Sequence, residues 1–182
     1  MPQPIRLSSL VAAPAAGFEE PFEMLAACHE RIHRMLALLA RLRAHVAVHG
    51  ADSQAQQAAR DVLRYFDQAA PHHHRDEELH VFPPLLAAGD PRVTAIVQRL
   101  LRDHAEMEAR WRVARERLLR IADGTLPALG EDDDAALDAF AALHADHLRA
   151  EEDIAYPAAR ETLDATAQRA MGEEMMRRRG VK

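Results

Sequence analysis

The 182-residue chain has a single cysteine, Cys28, so it contains no internal disulfide and no cluster of thiolates for a structural zinc site. Aromatic residues are scarce, with five Phe, two Tyr and one Trp. That disfavours a β-rich domain, whose strands rely on aromatic and β-branched side chains. Positive charge is not in excess: the net charge is −6, which leaves no basic field for a phosphate backbone and argues against nucleic acid as a partner. No apolar run approaches the length needed to span a bilayer, so no membrane partner is expected. The first residues combine Arg6 with an Ala-rich stretch, but Ser8, Ser9 and Pro14 interrupt it. The expectation is a cytoplasmic protein without a cleaved leader.

What the chain has in abundance is Ala, Leu, Arg and Glu, all strong helix formers. The fold class expected is all-α: an up-down four-helix bundle with an N-terminal arm and an additional C-terminal helix. The arm takes residues 1–20, the bundle 21–160 and the last helix 161–182. Pro21 suits a first helical turn, and Leu25, Ile32, Leu36 and Leu39 then fall on one face up to Gly50. Asp52 or Ser53 can cap a second helix, which Pro71 is expected to kink and which Pro83 and Pro84 should end. A third helix is predicted from Pro91 to Ala122. A fourth begins at the acidic run Glu131 to Asp134, which complements a helix dipole, and reaches Tyr156 and Pro157. The final segment, about Ala158 to Arg179, ends in three arginines, which read as dipole partners of a C-terminus rather than a binding patch.

Chemistry is concentrated in an internal repeat. His73-x-x-x-Glu77-Glu78 is followed by Phe82-Pro83, and His147-x-x-x-Glu151-Glu152 by Tyr156-Pro157, in the same register. A His and a Glu four residues apart share one helix face and can reach one ion. The helical phase turns these groups inward. His104 sits in a stripe of Val93, Val97, Leu100, Met107, Trp111 and Leu118; His147 and Glu151 continue one through Ala136, Phe140, Leu143 and Ile154; His73 and Glu77 extend Val62 and Phe66; His29 joins the stripe of the first helix. A buried His is ordinarily a hydrogen-bonded core residue, but four apolar stripes each interrupted by His, two with Glu one turn later, are costly to bury without a cation. Imidazole and carboxylate without thiolate suit iron or manganese, usually as a pair inside a bundle.

These residues resemble the hemerythrin-like, His-His-Glu cation-binding family over roughly residues 22–157. The resemblance implies a four-helix bundle around two iron ions, oxo- or hydroxo-bridged, with manganese or zinc as substitutes on purification. It makes His29, His73, Glu77, His104, His147 and Glu151 the ligands, Glu77 and Glu151 bridging. The best known relatives bind dioxygen reversibly, and others sense oxygen or iron. The oxygen carriers place a second His one turn after the first on the third helix; here Glu108 follows His104, which makes Glu108 a candidate seventh ligand and tilts the chemistry away from reversible carriage. The expected ligands are dioxygen, nitric oxide or peroxide, for storage, sensing or detoxification.

The remaining histidines are assigned lesser roles. His33 lies on a less apolar strip, His72 and His74 fall at the surface or beside the ligands, and His80 could support a ligand by a hydrogen bond. His45, His49 and His144 are expected on shoulders or surfaces, and Cys28 as a small core residue. A ferritin-like oxidase is the alternative suggested by Glu30-x-x-His33 and Glu77-x-x-His80, although Ile154 stands where the late helix would need a third such His. A metal-responsive regulatory module is another alternative. The sequence does not fix the oligomeric state.

Overall fold

The computed structural model describes residues 17–181, all of whose regular elements are helices. Most of the expected N-terminal arm, including Arg6 and the Ala-rich stretch, lies outside the described residues. The first rod is α1, Pro21–His49. The second is built from α2, Ser53–Asp76, a π-helical segment at Glu77–Val81, and α3, Phe82–Ala88. The third is α4, Pro91–Ala122. The fourth joins α5, Glu131–Ala142, α6, His144–Ala150, a second π segment at Glu151–Ala155, and α7, Tyr156–Thr162. A further helix, α8, runs over Ala165–Arg178.

Connections between rods are short, which makes sequential rods antiparallel neighbours. Asp52 caps α2 by accepting from the backbone of Gln54 and Ala55, and Asp90 does the same for α4 with Arg92 and Val93. Gly89, at a φ of +73°, takes the left-handed conformation that stops α3 just before that cap. α1 and α4 each pack against α2 and α5, closing a four-rod ring. No helix among the described residues is long and apolar enough to cross a membrane.

Two expectations about the helices change. Pro83 does not end the second rod. Instead the chain inserts one residue ahead of it, so that Phe82 N–H donates to the Glu77 carbonyl five residues back, and the rod continues to Ala88. Tyr156 N–H and the Glu151 carbonyl repeat this arrangement before Pro157. A proline lacks an N–H and its ring crowds the carbonyl four residues earlier, and a widened turn relieves that conflict without breaking the helix. The insertion also shifts the buried face by one position. Ile154, expected on the inner stripe, is exposed, and Ala155 and Tyr156 are buried in its place; in the first copy Leu79 is exposed while Val81 and Phe82 are buried.

The interior consists of two apolar clusters. One contains Leu39, Val62, Phe66, Leu118, Ile121 and Phe140; the other contains Phe22, Leu25, Phe82, Leu100, Tyr156 and Met175. Between them lies a layer of buried histidines and carboxylates.

Candidate metal centre

His29, His73, His104, His147, Glu77 and Glu151 are all buried, at 4% exposure or less, and their polar ends converge. Each reaches the layer from a different place: His29 from α1, His73 from the end of α2, His104 from mid-α4 and His147 from α6. Glu77 and Glu151 open the two π segments.

The two carboxylates divide their oxygens between two sets of imidazoles. Glu77 Oε1 lies 3.5 Å from His73 Nε2, and its Oε2 lies 3.4 Å from His104 Nε2. Glu151 Oε2 lies 3.2 Å from His29 Nε2, while its Oε1 lies 2.9 Å from His147 Nε2 and 3.7 Å from His104 Nε2. His29, His73, Glu77 and Glu151 form one group whose donor atoms all stand within 4.8 Å of one another, and His74, His104 and His147 form a second. Each carboxylate therefore spans from one group to the other.

The fit to cations can be tested on what these atoms lack. Glu77 Oε2, His104 Nε2, His147 Nε2 and both oxygens of Glu151 are buried without a hydrogen-bond partner. Burying two carboxylates and several imidazoles in this way costs several kcal/mol per uncompensated charge unless something positive lies between them. Imidazole nitrogens and carboxylate oxygens are ligands for first-row divalent or trivalent ions, and two such positions with shared carboxylates accommodate a pair. The residues present fit the group that the sequence pattern implies.

Outer carboxylates orient the rings. Glu152 holds His29 Nδ1 at 2.8 Å, Glu78 holds His104 Nδ1 at 3.0 Å and Asp103 holds His147 Nδ1 at 3.4 Å. In each case the outer nitrogen donates, so Nε2 faces the layer. Glu78 and Glu152 are the second glutamates of the two repeats, and each holds the lone His of another rod. One copy of the motif thus supplies a candidate ligand His, a candidate bridge and the anchor for a third ligand.

Without a cation, protons take up the charge. Burial works against a charged His104, but its contacts with Glu151, Glu77 and Glu78 outweigh that and carry the imidazole up to about 11. His29 is raised for the same reason, burial being overcome by Glu151, Glu77 and Glu152. Burial alone would raise Glu151, but His104, His147 and His29 hold it well below the usual carboxylate range. Burial lowers His73, and burial together with His104 and His73 pushes His74 well down. A cation held here would compete with protons for His104 and His29.

A cavity of about 470 Å³ opens beside one group only. Its lining includes His74, His104, Glu78, Phe66, Trp111 and Glu108. His29 and His73 do not line it.

Several residues stand elsewhere than the sequence suggests. Glu108 is exposed at the cavity wall and belongs to neither donor group; His74, expected at the surface or beside the ligands, stacks on His104 with ring centroids 4.0 Å apart and stands within the second group itself. His74 is one residue, or about 100° of helix, from His73, and only the packing of α2 against α4 turns that face inward. His144 is buried rather than on a shoulder, its Nδ1 set 3.1 Å from the Phe140 carbonyl; burial and the neighbouring His147 lower it to about 4. His80 bonds Glu174 of α8 at 2.6 Å and does not support a ligand. Arg178 and Arg179 hold the fully buried Asp76, at 2.9 Å and 2.5 Å, so the terminal arginines are more than dipole partners. Of the two pairs behind the ferritin-like alternative, Glu30 and His33 are both exposed, and His80 of the other is bonded to Glu174. Of the groups that matter, Glu78, Glu152 and Tyr156 were visible in the repeat itself, whereas nothing in the sequence marked Asp103 or Asp76.

Residues 20–159 match the family model described as hemerythrin HHE cation binding domain. An uncharacterized protein of Haemophilus influenzae is 30% identical over 167 residues, which cover 92% of this chain and 94% of the relative.

Proposed function

The chain belongs to the hemerythrin HHE cation-binding domain family, and from that premise we propose that it is a non-haem di-iron protein that takes up dioxygen or a related small ligand, nitric oxide or peroxide, for storage, sensing or detoxification. The observation that carries this reading is the division of Glu77 and Glu151 between two sets of imidazoles. A single-ion site has no use for two carboxylates that each face both ways.

His29 and His73 would hold one ion, and His104, His147 and His74 the other, with Glu77 and Glu151 between them. Bound there, a pair of irons supplies a redox-active centre able to accept a small exogenous ligand. The protein's own part is positional. Glu152, Glu78 and Asp103 fix the rings, and Phe66, Met107, Trp111 and Phe140 keep the approach from the cavity largely apolar, limiting water. The ligand enters on the His104 side because the cavity reaches only that group.

The test is metal content and absorption of protein purified from iron-fed cells, before and after anaerobic reduction and re-exposure to air, beside His147→Ala. Two irons per chain, with a ligand-to-iron absorption that fades on reduction and a mutant depleted of metal, is the expected result. No iron, with the mutant indistinguishable from wild type, sinks the reading. The rate and form in which the absorption returns in air separate reversible uptake from oxidation.

A further inference from the structure

The two copies of the repeat differ, among other positions, in the aromatic residue that precedes the proline. Where the first copy has Phe82 before its proline, the second has Tyr156. Both rings are buried and both lie against the lone His of another rod, Phe82 against His104 with centroids 5.6 Å apart and Tyr156 against His29 at 5.3 Å. The added hydroxyl falls among the inward-facing donors. Tyr156 Oη lies 2.9 Å from His29 Nε2 and makes a hydrogen bond to Glu77 Oε1.

Spacing separates a ligand from an ordinary core hydroxyl. First-row ions hold nitrogen and oxygen donors at roughly 2.0–2.2 Å, so two donors at right angles on one ion stand about 3 Å apart. His29 Nε2 is 3.1 Å from His73 Nε2, 3.2 Å from Glu151 Oε2 and 2.9 Å from Tyr156 Oη. The phenol oxygen thus keeps the spacing that the candidate ligands keep among themselves. His29 Nδ1 is already engaged by Glu152, so the nitrogen turned toward the phenol is the one available to a cation.

Resting on the metal reading above, we propose that Tyr156 Oη is a ligand of the ion held by His29 and His73, bound as phenolate when that ion is ferric. Coordination breaks the phenol O–H bond, forms an oxygen–metal bond and releases one proton to solvent; no electron moves. The donor set at that position becomes His29, His73, Glu77, Glu151 and Tyr156. A hard anionic donor favours the ferric state there. The two positions then differ in kind, one closed by a phenolate and away from the cavity, the other facing it.

The experiment uses the full chain loaded with ferric iron, with iron quantified and the visible absorption and resonance Raman spectra recorded on unlabelled and ring-deuterated-tyrosine protein. The chain has two tyrosines, and the hydroxyl of the other, Tyr65, is bonded to the Cys28 carbonyl. The expected result is a phenolate-to-ferric charge-transfer band whose Raman modes shift with deuteration, kept in Tyr65→Phe and lost in Tyr156→Phe while two irons per chain remain. Iron at two per chain in wild type with no such band, or a band that survives Tyr156→Phe, overturns the phenolate ligand and leaves the di-iron reading standing. No iron in wild type overturns both. The wild-type Raman result stands even if the variant folds poorly.

Discussion

An imidazole offers two nitrogens, and the group that holds the outer one decides where the inner one points. Glu152 plays that part for His29 and Glu78 for His104. Losing such an anchor typically costs about 10–100-fold in metal affinity. We therefore expect Glu152→Ala and Glu78→Ala each to lower iron affinity by that order, in competition with a chelator, without abolishing the fold. The exchange of Glu108 for His74 in the second donor group makes a sharper test. His74→Ala should drop the iron content from about two toward one per chain, and Glu108→Ala should leave it unchanged, by metal analysis. The reverse pattern would restore Glu108 as the ligand.

α8 is the element that sequence reading treated as an appendage. It is fastened near both ends of the segment carrying Glu77: Asp76, just before it, binds Arg178 and Arg179, and His80, within its last turn, binds Glu174. Its apolar side adds Met171 and Met175 to the cluster that contains Tyr156. Gly172 permits the close approach, since a Cβ there would stand 1.8 Å from the Phe18 carbonyl oxygen. Gly172→Ala must therefore push α8 off the Phe18 backbone just ahead of the first rod. The expected cost is roughly 1–3 kcal/mol, read as a shift in the urea midpoint, with faster hydrogen exchange in α8.

Acid should loosen the same helix. Arg178, and after it His80, hold the Glu174 carboxyl down at about 2, from an ordinary 4.5. A carboxylate lowered by folding contributes stability that is present above its unfolded value and is lost as pH falls through the folded one. Protection of α8 amides should therefore decline between about pH 4.5 and pH 2. In Glu174→Gln the neighbouring Asp76, Arg178, Arg179 and His80 remain, but this component of the decline should vanish. An unchanged profile would place the acid-sensitive contact elsewhere.

Across the whole molecule, the polar layer separates two apolar clusters that share the same four rods. On the di-iron reading, a cation pair in the layer would couple them, and its removal would leave buried carboxylates and imidazoles where the clusters meet. At a free metal concentration 100 times its dissociation constant, a bound ion adds about 2.7 kcal/mol, worth roughly 5–10 °C in Tm for a chain of this size. Scanning calorimetry with and without chelator should show that rise. Hydrogen exchange on the chelated protein should open first in the cluster holding Phe82, Tyr156 and α8, whose packing depends on both π segments. A uniform loss of protection over both clusters would mean that the layer does not act as a seam.

Periodicity and spacing alone determined the helical class, the inward face of His29, His73, His104 and His147, and the pairing of each late His with a Glu one turn on, because these follow from 3.6 residues per turn and from the cost of burying charge. The limits of α4 were legible for the same local reasons, as was a cap for α2 at Asp52 or Ser53, which the structure gives to Asp52. Tertiary structure decided the rest. The π insertions moved Ile154 out and Tyr156 in, a shift invisible to any pattern that assumes a constant period. The packing of α2 on α4 brought His74 to His104, and the docking of α8 gave Asp76 its partners. Those are contacts between residues far apart in the chain, and a donor's role there depends on which neighbour the fold sets against it, not on its own place in a helical repeat.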